Sequence, residues 1–181
     1  MRARQTLPLL WLLSDARNDA ALEDALAKLP RGSGFIFRHY HLPPRERRAR
    51  FDTLARLARA RGHTIVLAGQ AASARDWRAD GVYAAPGGLR QAGNLLRLAT
   101  AHSLRELGAA RRAGAHAVLL SPVFPTRSHP GVATLGPVRF RLLATHSAVP
   151  VIALGGLNAS TARRLKWPCW GAIDGVHHAD S

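Results

Sequence analysis

One cysteine, Cys169, leaves the chain without any intramolecular disulfide, which suits a reducing cytosol and makes a cytoplasmic location the expectation. Long apolar runs are missing too. No stretch approaches the roughly 20 residues that span a bilayer, so no membrane partner is expected. The amino-terminal MRARQTLPLLWLLSDAR imitates a secretory signal through Arg2, Arg4 and the apolar run Leu7 to Leu13. Ser14-Asp15-Ala16-Arg17 then offers no small-x-small cleavage site, and the run predicts a buried first strand instead. Lysine is scarce, confined to Lys28 and Lys166, so the net charge of +15 is almost all arginine. Guanidinium forks suit phosphate, which admits an anionic metabolite or a nucleic acid. Aromatic residues make up only 6% of the chain and do not interleave with the arginines, so nucleic acid is the remoter partner and a solvated basic surface the plainer reading.

What is present is apolar material for a core: 47% of 181 residues, enough for one domain spanning 1–181. Short apolar runs alternate with helical patterns. Strands are expected at Leu9 to Leu13, Gly34 to Arg38, His63 to Ala68, Gly81 to Ala84, Leu95 to Ala101, His116 to Ser121, around Val151, and at Ala172 to Val176. Asn18 or Asp19 is expected to cap a helix with Ala21, Leu22, Ala25, Leu26 and Leu29 inward. Pro43-Pro44 starts a long helix with Phe51, Leu54, Leu57 and Ala58 on one face and Arg45, Arg47, Arg48, Arg56 and Arg59 on the other. Further helices are expected at Ser103 to Ala113, opened by a Ser103/Glu106 capping box, at Val138 to His146, and at Ala159 to Lys166. Eight alternating units predict a compact (β/α)8 TIM barrel that lacks a full final helix. An open doubly wound sheet is disfavoured, because no G-x-G-x-x-G follows the first strand.

The densest signal is GAHAVLLSPVFPTRSHPG, Gly114 to Gly131, where an apolar strand stops at Pro122 and Pro125 and Pro130 hold the chain in a stiff loop. PVIALGGLN, Pro150 to Asn158, repeats the design, with Gly155 and Gly156 permitting close backbone approach and Asn158 or Ser160 capping the next helix. Loop amides and a helix start at adjacent strand ends suit an anion. His177-His178 are adjacent, so as strand residues they would point to opposite faces and not chelate one ion together. Trp167 and Trp170 are expected to cover the barrel's bottom edge.

These segments, with LWLLSDAR, FIFRHY, RADGVYAAP and TAHS in order between them, resemble the thiamine phosphate synthase and TenI-like family over nearly the whole chain. The resemblance implies a TIM barrel and a reaction joining a pyrimidine diphosphate to a thiazole phosphate with magnesium. It also marks departures. The family motif Q-L-R-E-K falls on Ile36-Phe37-Arg38-His39-Tyr40, keeping only Arg38, and the positions of its two magnesium aspartates fall on Gly69 and near Gly88. Hard Mg²⁺ wants oxygen ligands, so no metal is expected. The family's T-x-T-K falls on Thr126, Arg127, Ser128 and His129, Gly156 matches the glycine at the thiazole phosphate, and Ala179-Asp180 stand where the family has Val-Ser. His102 corresponds to a histidine that TenI-like tautomerases use to move protons, a task suited to imidazole.

The expectation is a family member binding a phosphorylated thiazole or thiamine-type metabolite through Thr126, Arg127, Ser128, His129, Gly155 and Gly156. Arg38 and His102 are the catalytic candidates, and synthase activity is doubtful. A thiazole tautomerase, a non-catalytic phosphate-ligand barrel and an arginine-rich nucleic-acid binder are the alternatives, and a homodimer is left open.

Overall fold

The computed structural model describes residues 7–126 and 131–174. Eight parallel strands close on themselves in sequence order: β1 (Leu10–Leu13), β2 (Gly34–Phe37), β3 (Thr64–Ala68), β4 (Gly81–Ala84), β5 (Leu96–Ala101), β6 (Ala117–Leu120), β7 (Val151–Ala153) and β8 (Trp170–Ala172). This is the (β/α)8 barrel, and seven strands sit where the sequence puts them to within two residues at either end. The eighth is a correction. It runs Trp170–Ala172, whereas Ala172 to Val176 was expected, and its register pairs Trp170 with both Leu10 and Ala153. Among the described residues the β7–β8 seam rests on that one aligned pair, Ala153 with Trp170.

Side chains alternate between two apolar layers because the strand repeat is two residues. Trp11, Leu13, Ile36, Val66, Leu98, Leu119 and Ile152 fill the barrel. Leu12, Phe35, Phe37, Leu67, Val118 and Leu120 face outward, where the helices cover them. Trp11 takes its space from Gly34: a Cβ at that glycine would collide with the indole ring. The indole nitrogen donates to Pro8 O at 2.7 Å, so the one polar atom of this buried ring is satisfied.

The outer layer comprises α1 (Leu22–Lys28), α2 (Pro44–Ala60), α3 (Ala71–Asp76), α4 (Leu104–Arg112), α5 (Gly136–Thr145) and α6 (Ala159–Leu165). A 3-10 turn, Pro86–Leu89, replaces a helix between β4 and β5, and among the described residues no helix follows β8. Proline starts α2 at a position whose N–H would be unpaired anyway. Ser103 caps α4 by accepting from the Glu106 amide, while Glu106 reaches back to the His102 amide, one residue before the box expected. Asn158 and Thr161 form a reciprocal capping box on α6.

Other expectations need correcting. Neither Asn18 nor Asp19 caps with its side chain: a 3-10 turn, Asp19–Ala21, precedes α1, Ala21 is exposed, and Asn18 bonds to Leu13 O and Ile173 O instead. Leu57 is 40% exposed, its place in the core taken by Ala55. Arg47 leaves the solvent stripe on α2. Its guanidinium lies among the Phe37, Tyr40 and Trp77 rings and donates to the carbonyls of Arg38 and Ala68. Trp167 does hold the bottom edge, with its indole nitrogen on Val151 O at 2.9 Å and its ring against Phe140 of α5. Trp170 packs with the outer layer beside α6.

Candidate functional site

Counting by twos along the inward register gives the residues at the carboxyl rim. On β2, Gly34 and Ile36 lead to Arg38; on β5, Leu96 and Leu98 lead to Thr100 and His102; on β6, Ala117 and Leu119 lead to Ser121. Tyr83 on β4 obeys the same rule. All of them line one cavity of about 950 Å³ that opens at this end, together with Thr126, Arg139, Gly155 and Gly156. That volume falls within the ~300–1,000 Å³ of small-ligand sites. In a barrel closed in sequence order β2 lies across from β6, so Arg38 faces the Thr126 and Gly155 side over the mouth.

Arg38 is fixed by its backbone. Ser14 Oγ accepts from its N–H at 2.8 Å and Arg47 donates to its carbonyl, while the guanidinium reaches within 3.7 Å of Asp15. Burial works to raise the Asp15 carboxyl, but hydrogen bonds from Arg17 and the charges of Arg17 and Arg38 outweigh it and hold the group below its usual range. Behind Arg38, His39 is buried, with Nδ1 2.7 Å from Ser14 Oγ and Nε2 2.8 Å from Asp19. Loss of solvent lowers the His39 pKa despite the Asp19 carboxylate, so the ring is held neutral.

Across the mouth, the proline-bearing loop after β6 is stitched to β7: the Val123 and Phe124 amides donate to Leu154 O and Gly155 O at 2.9 and 3.1 Å. Gly155 and Gly156 take φ of +98° and +63°, a region that favours glycine, and Cβ atoms there would run into Pro122 and Pro125. Among the described residues the N–H groups of Gly155, Gly156 and Leu157 donate to no protein acceptor. They meet the cavity just before the capped start of α6. His102 places Nδ1 2.7 Å from Ser121 O and Nε2 3.4 Å from Thr100 Oγ1.

The structure thus brings Arg38, His102, Thr126, Gly155 and Gly156 to one cavity. Arg127, Ser128, His129, His177, His178, Ala179 and Asp180 lie outside the described residues. Sequence reasoning missed Tyr83, Thr100 and Arg139, although the two-residue step from the buried strand positions points to the first two. Gly69 and Gly88, which the resemblance sets at and near the positions of the family's magnesium aspartates, carry no side chain. Among the described residues no group of three or more His, Cys, Asp or Glu side chains could hold a metal ion, and Asp174 is the one carboxylate on the described cavity wall. Among the described residues no helix is long and apolar enough to cross a membrane.

Comparisons with known proteins bear on this geometry. A thiamine-phosphate synthase of Pyrococcus furiosus is 28% identical over 163 residues, covering 86% of this chain and 79% of its own. One of Chloroflexus aurantiacus is 35% identical over 74 residues, 40% of this chain and 34% of its own, so the match spans only about a third of that relative's length. Among solved structures, a thiamine phosphate pyrophosphorylase from Pyrococcus furiosus superposes with a TM-score of 0.77 at 24% identity, covering 93% of this chain and 86% of the other, which supports the fold. The family model described as thiamine monophosphate synthase matches residues 11–169. With most of its length inside that match, the chain belongs to the thiamine monophosphate synthase (TMP-TENI) family.

Proposed function

We propose that this barrel binds a small phosphorylated thiazole or thiamine-type ligand at the carboxyl ends of β6 to β8, and that the magnesium-pyrophosphate half of the family site is eroded, leaving synthase turnover slow or absent. The observation that carries the reading is the Gly155–Gly156 turn, whose amides face the cavity without protein acceptors among the described residues. Backbone N–H groups presented this way stabilise an anion at fixed geometry. Arg139, on the same wall, adds positive charge. A pyrophosphate leaving group demands more, because its developing charge must be neutralised, and the carboxylates that would hold a cation are missing from the matching positions. Calorimetry with thiazole phosphate and with the unphosphorylated thiazole tests this. Saturable binding that depends on the phosphate is expected; equal binding of both, or of neither, overturns it.

A second reading, a thiazole tautomerase, is favoured by His102. Its Nδ1 faces a carbonyl oxygen, which can only accept, so the neutral ring carries its hydrogen there and leaves the Nε2 lone pair toward the cavity. A base so oriented needs no metal.

A further inference from the structure

An aspartate, a histidine and a serine stand in line behind Arg38. Asp19 Oδ1 is 2.8 Å from His39 Nε2, and His39 Nδ1 is 2.7 Å from Ser14 Oγ. The same groups in the same order activate a serine nucleophile in hydrolases. Here they serve another end: Ser14 and His39 are buried, neither lines the cavity, and Ser14 Oγ already accepts from the Arg38 N–H at 2.8 Å. The hydrogens can be placed by elimination. Asp19 is an ionised carboxylate and only accepts, so His39 Nε2 carries the hydrogen, and the neutral ring leaves Nδ1 as an acceptor. The Ser14 hydroxyl therefore donates to His39 and keeps a lone pair for the Arg38 amide. On the other side of the same residue, the Arg38 carbonyl accepts twice from Arg47, at 3.0 and 2.8 Å. His39 takes a left-handed φ of +36°, uncommon for a residue with a side chain, and its ring is stacked on Phe37 with centroids 4.6 Å apart.

We infer that Ser14 and His39 are positioning residues for Arg38, with Asp19 fixing the direction of their hydrogens, and that this relay aims the guanidinium at the ligand from across the Gly155–Gly156 turn. The inference rests on the ligand-binding reading. Arg38 lines the cavity, and its guanidinium makes one loose contact, with the Asp15 carboxylate at 3.7 Å. The backbone is thus held firmly and the side chain lightly, so the cation starts from a fixed point and remains free to take an acceptor on the ligand. A group held this way by buried neighbours is oriented before the ligand arrives. The line also has an outer anchor. Arg50 of α2 donates from Nε to Asp19 Oδ1 at 2.7 Å, and from Nη2 to Glu23 of α1 at 3.0 Å. Two helices outside the barrel therefore set where a rim arginine stands.

The test has a ligand-free arm and a binding arm. Nitrogen-15 spectra of the histidines at neutral pH should show His39 with its proton on Nε2 and none on Nδ1; a proton on Nδ1 overturns the relay. In calorimetry with thiazole phosphate, Arg38→Ala and Ser14→Ala should each weaken binding about tenfold or more, in line with a lost hydrogen bond to a charged group. The double variant should bind no more weakly than Arg38→Ala, because Ser14 acts only through that arginine. Additive losses would make Ser14 a general prop of the fold and overturn the inference. His39→Asn should stay close to wild type, since asparagine tolerates the left-handed φ and its amide oxygen can accept from Ser14, while His39→Ala should bind as weakly as Ser14→Ala. His39→Asn as weak as His39→Ala overturns the inference, and this pair decides it if Ser14→Ala does not fold. Wild-type affinity in Arg38→Ala or in Ser14→Ala overturns it and leaves the phosphate turn standing. Wild type that binds no thiazole phosphate overturns the ligand-binding reading, and the aim of Arg38 with it.

Discussion

Asn18 Nδ2 donates to the carbonyl oxygen of Ile173 at 2.7 Å, joining residues 155 positions apart across the junction between the first and last strands. The same amide donates to Leu13 O, and its oxygen accepts from the Asp15 amide. One side chain therefore closes the barrel at its carboxyl rim, next to the thinly paired β7–β8 seam. Asn18→Ala strands three backbone groups, and unpaired groups of this kind cost about 1–3 kcal/mol. Urea unfolding should show a loss of that size. An unchanged midpoint would mean that the junction is held elsewhere.

Two glycines separate strain from ligand binding. Gly62 and Gly156 both have left-handed φ, but a Cβ at Gly62 meets nothing within 4 Å among the described residues, whereas one at Gly156 meets Phe124 and Pro125. Gly62→Ala is expected to cost about 1–2 kcal/mol of stability, the usual penalty for a left-handed residue, and to leave thiazole phosphate binding intact. Gly156→Ala displaces the turn itself, and its affinity should fall by tenfold or more, about 1.4 kcal/mol or above. Calorimetry on the two variants makes the comparison; equal affinities would remove the turn from the site.

With both synthase substrates and Mg²⁺, product formation is expected to be very slow and indifferent to a chelator. Of the acidic residues near the chain positions concerned, Asp80 is committed at the amino end of β4, where its carboxylate accepts from the Ile65 amide at 2.8 Å, and Asp15 is held by Arg17 and Arg38. Robust chelator-sensitive turnover would show that a cation is bound after all. Arg38→Ala should then be assayed beside wild type, since a guanidinium can bind phosphate without metal.

Acid should weaken the fold through two buried histidines. His39 and His63 are both buried, and burial lowers both pKa values below the usual value of about 6.5. For His63, Nε2 is 3.1 Å from Leu26 O and Nδ1 is buried with no partner among the described residues, so a second proton would meet no acceptor there. His39 is faced by Asp19, Arg50, His41, Ser14 and the stacked Phe37 ring, and among the charged groups the Asp19 carboxylate is the one that favours the charged ring. Because the unfolded chain then binds more protons, the stability these rings contribute is complete above pH 6.5. It is lost as pH falls from there through the folded values, at up to about 1.4 kcal/mol per pH unit for each. His63→Gln should flatten that slope in pH-dependent unfolding; an unchanged slope would exclude His63 as its source.

The barrel was legible because each strand is a short apolar run punctuated by glycine or proline, and because eight such runs alternate with helical patterns. Arg38, His102, Gly155 and Gly156 were legible for a related reason: they fall at the carboxyl ends of those runs, where a barrel keeps its mouth. What escaped depends on contacts between distant segments. Nothing local to Asn18 says that it will bond to Ile173 in preference to capping a helix, and nothing local to Arg47 says that three rings from different elements will enclose it. The eighth strand was misplaced because Trp170-Gly171 read as part of a tryptophan-rich edge. Its register is set by pairing with Leu10 and Ala153, which no window around residue 170 contains.

Trp11 fills the barrel floor only because Gly34, on the neighbouring strand, has no side chain. The two positions therefore behave as one unit of change. Alanine at 34 alone should be severely disruptive, while the same alanine beside a smaller residue at 11 should be tolerated far better. In relatives, the pair is expected to vary together, so that a bulky ring on the first strand predicts glycine on the second, and an aliphatic residue there releases that constraint.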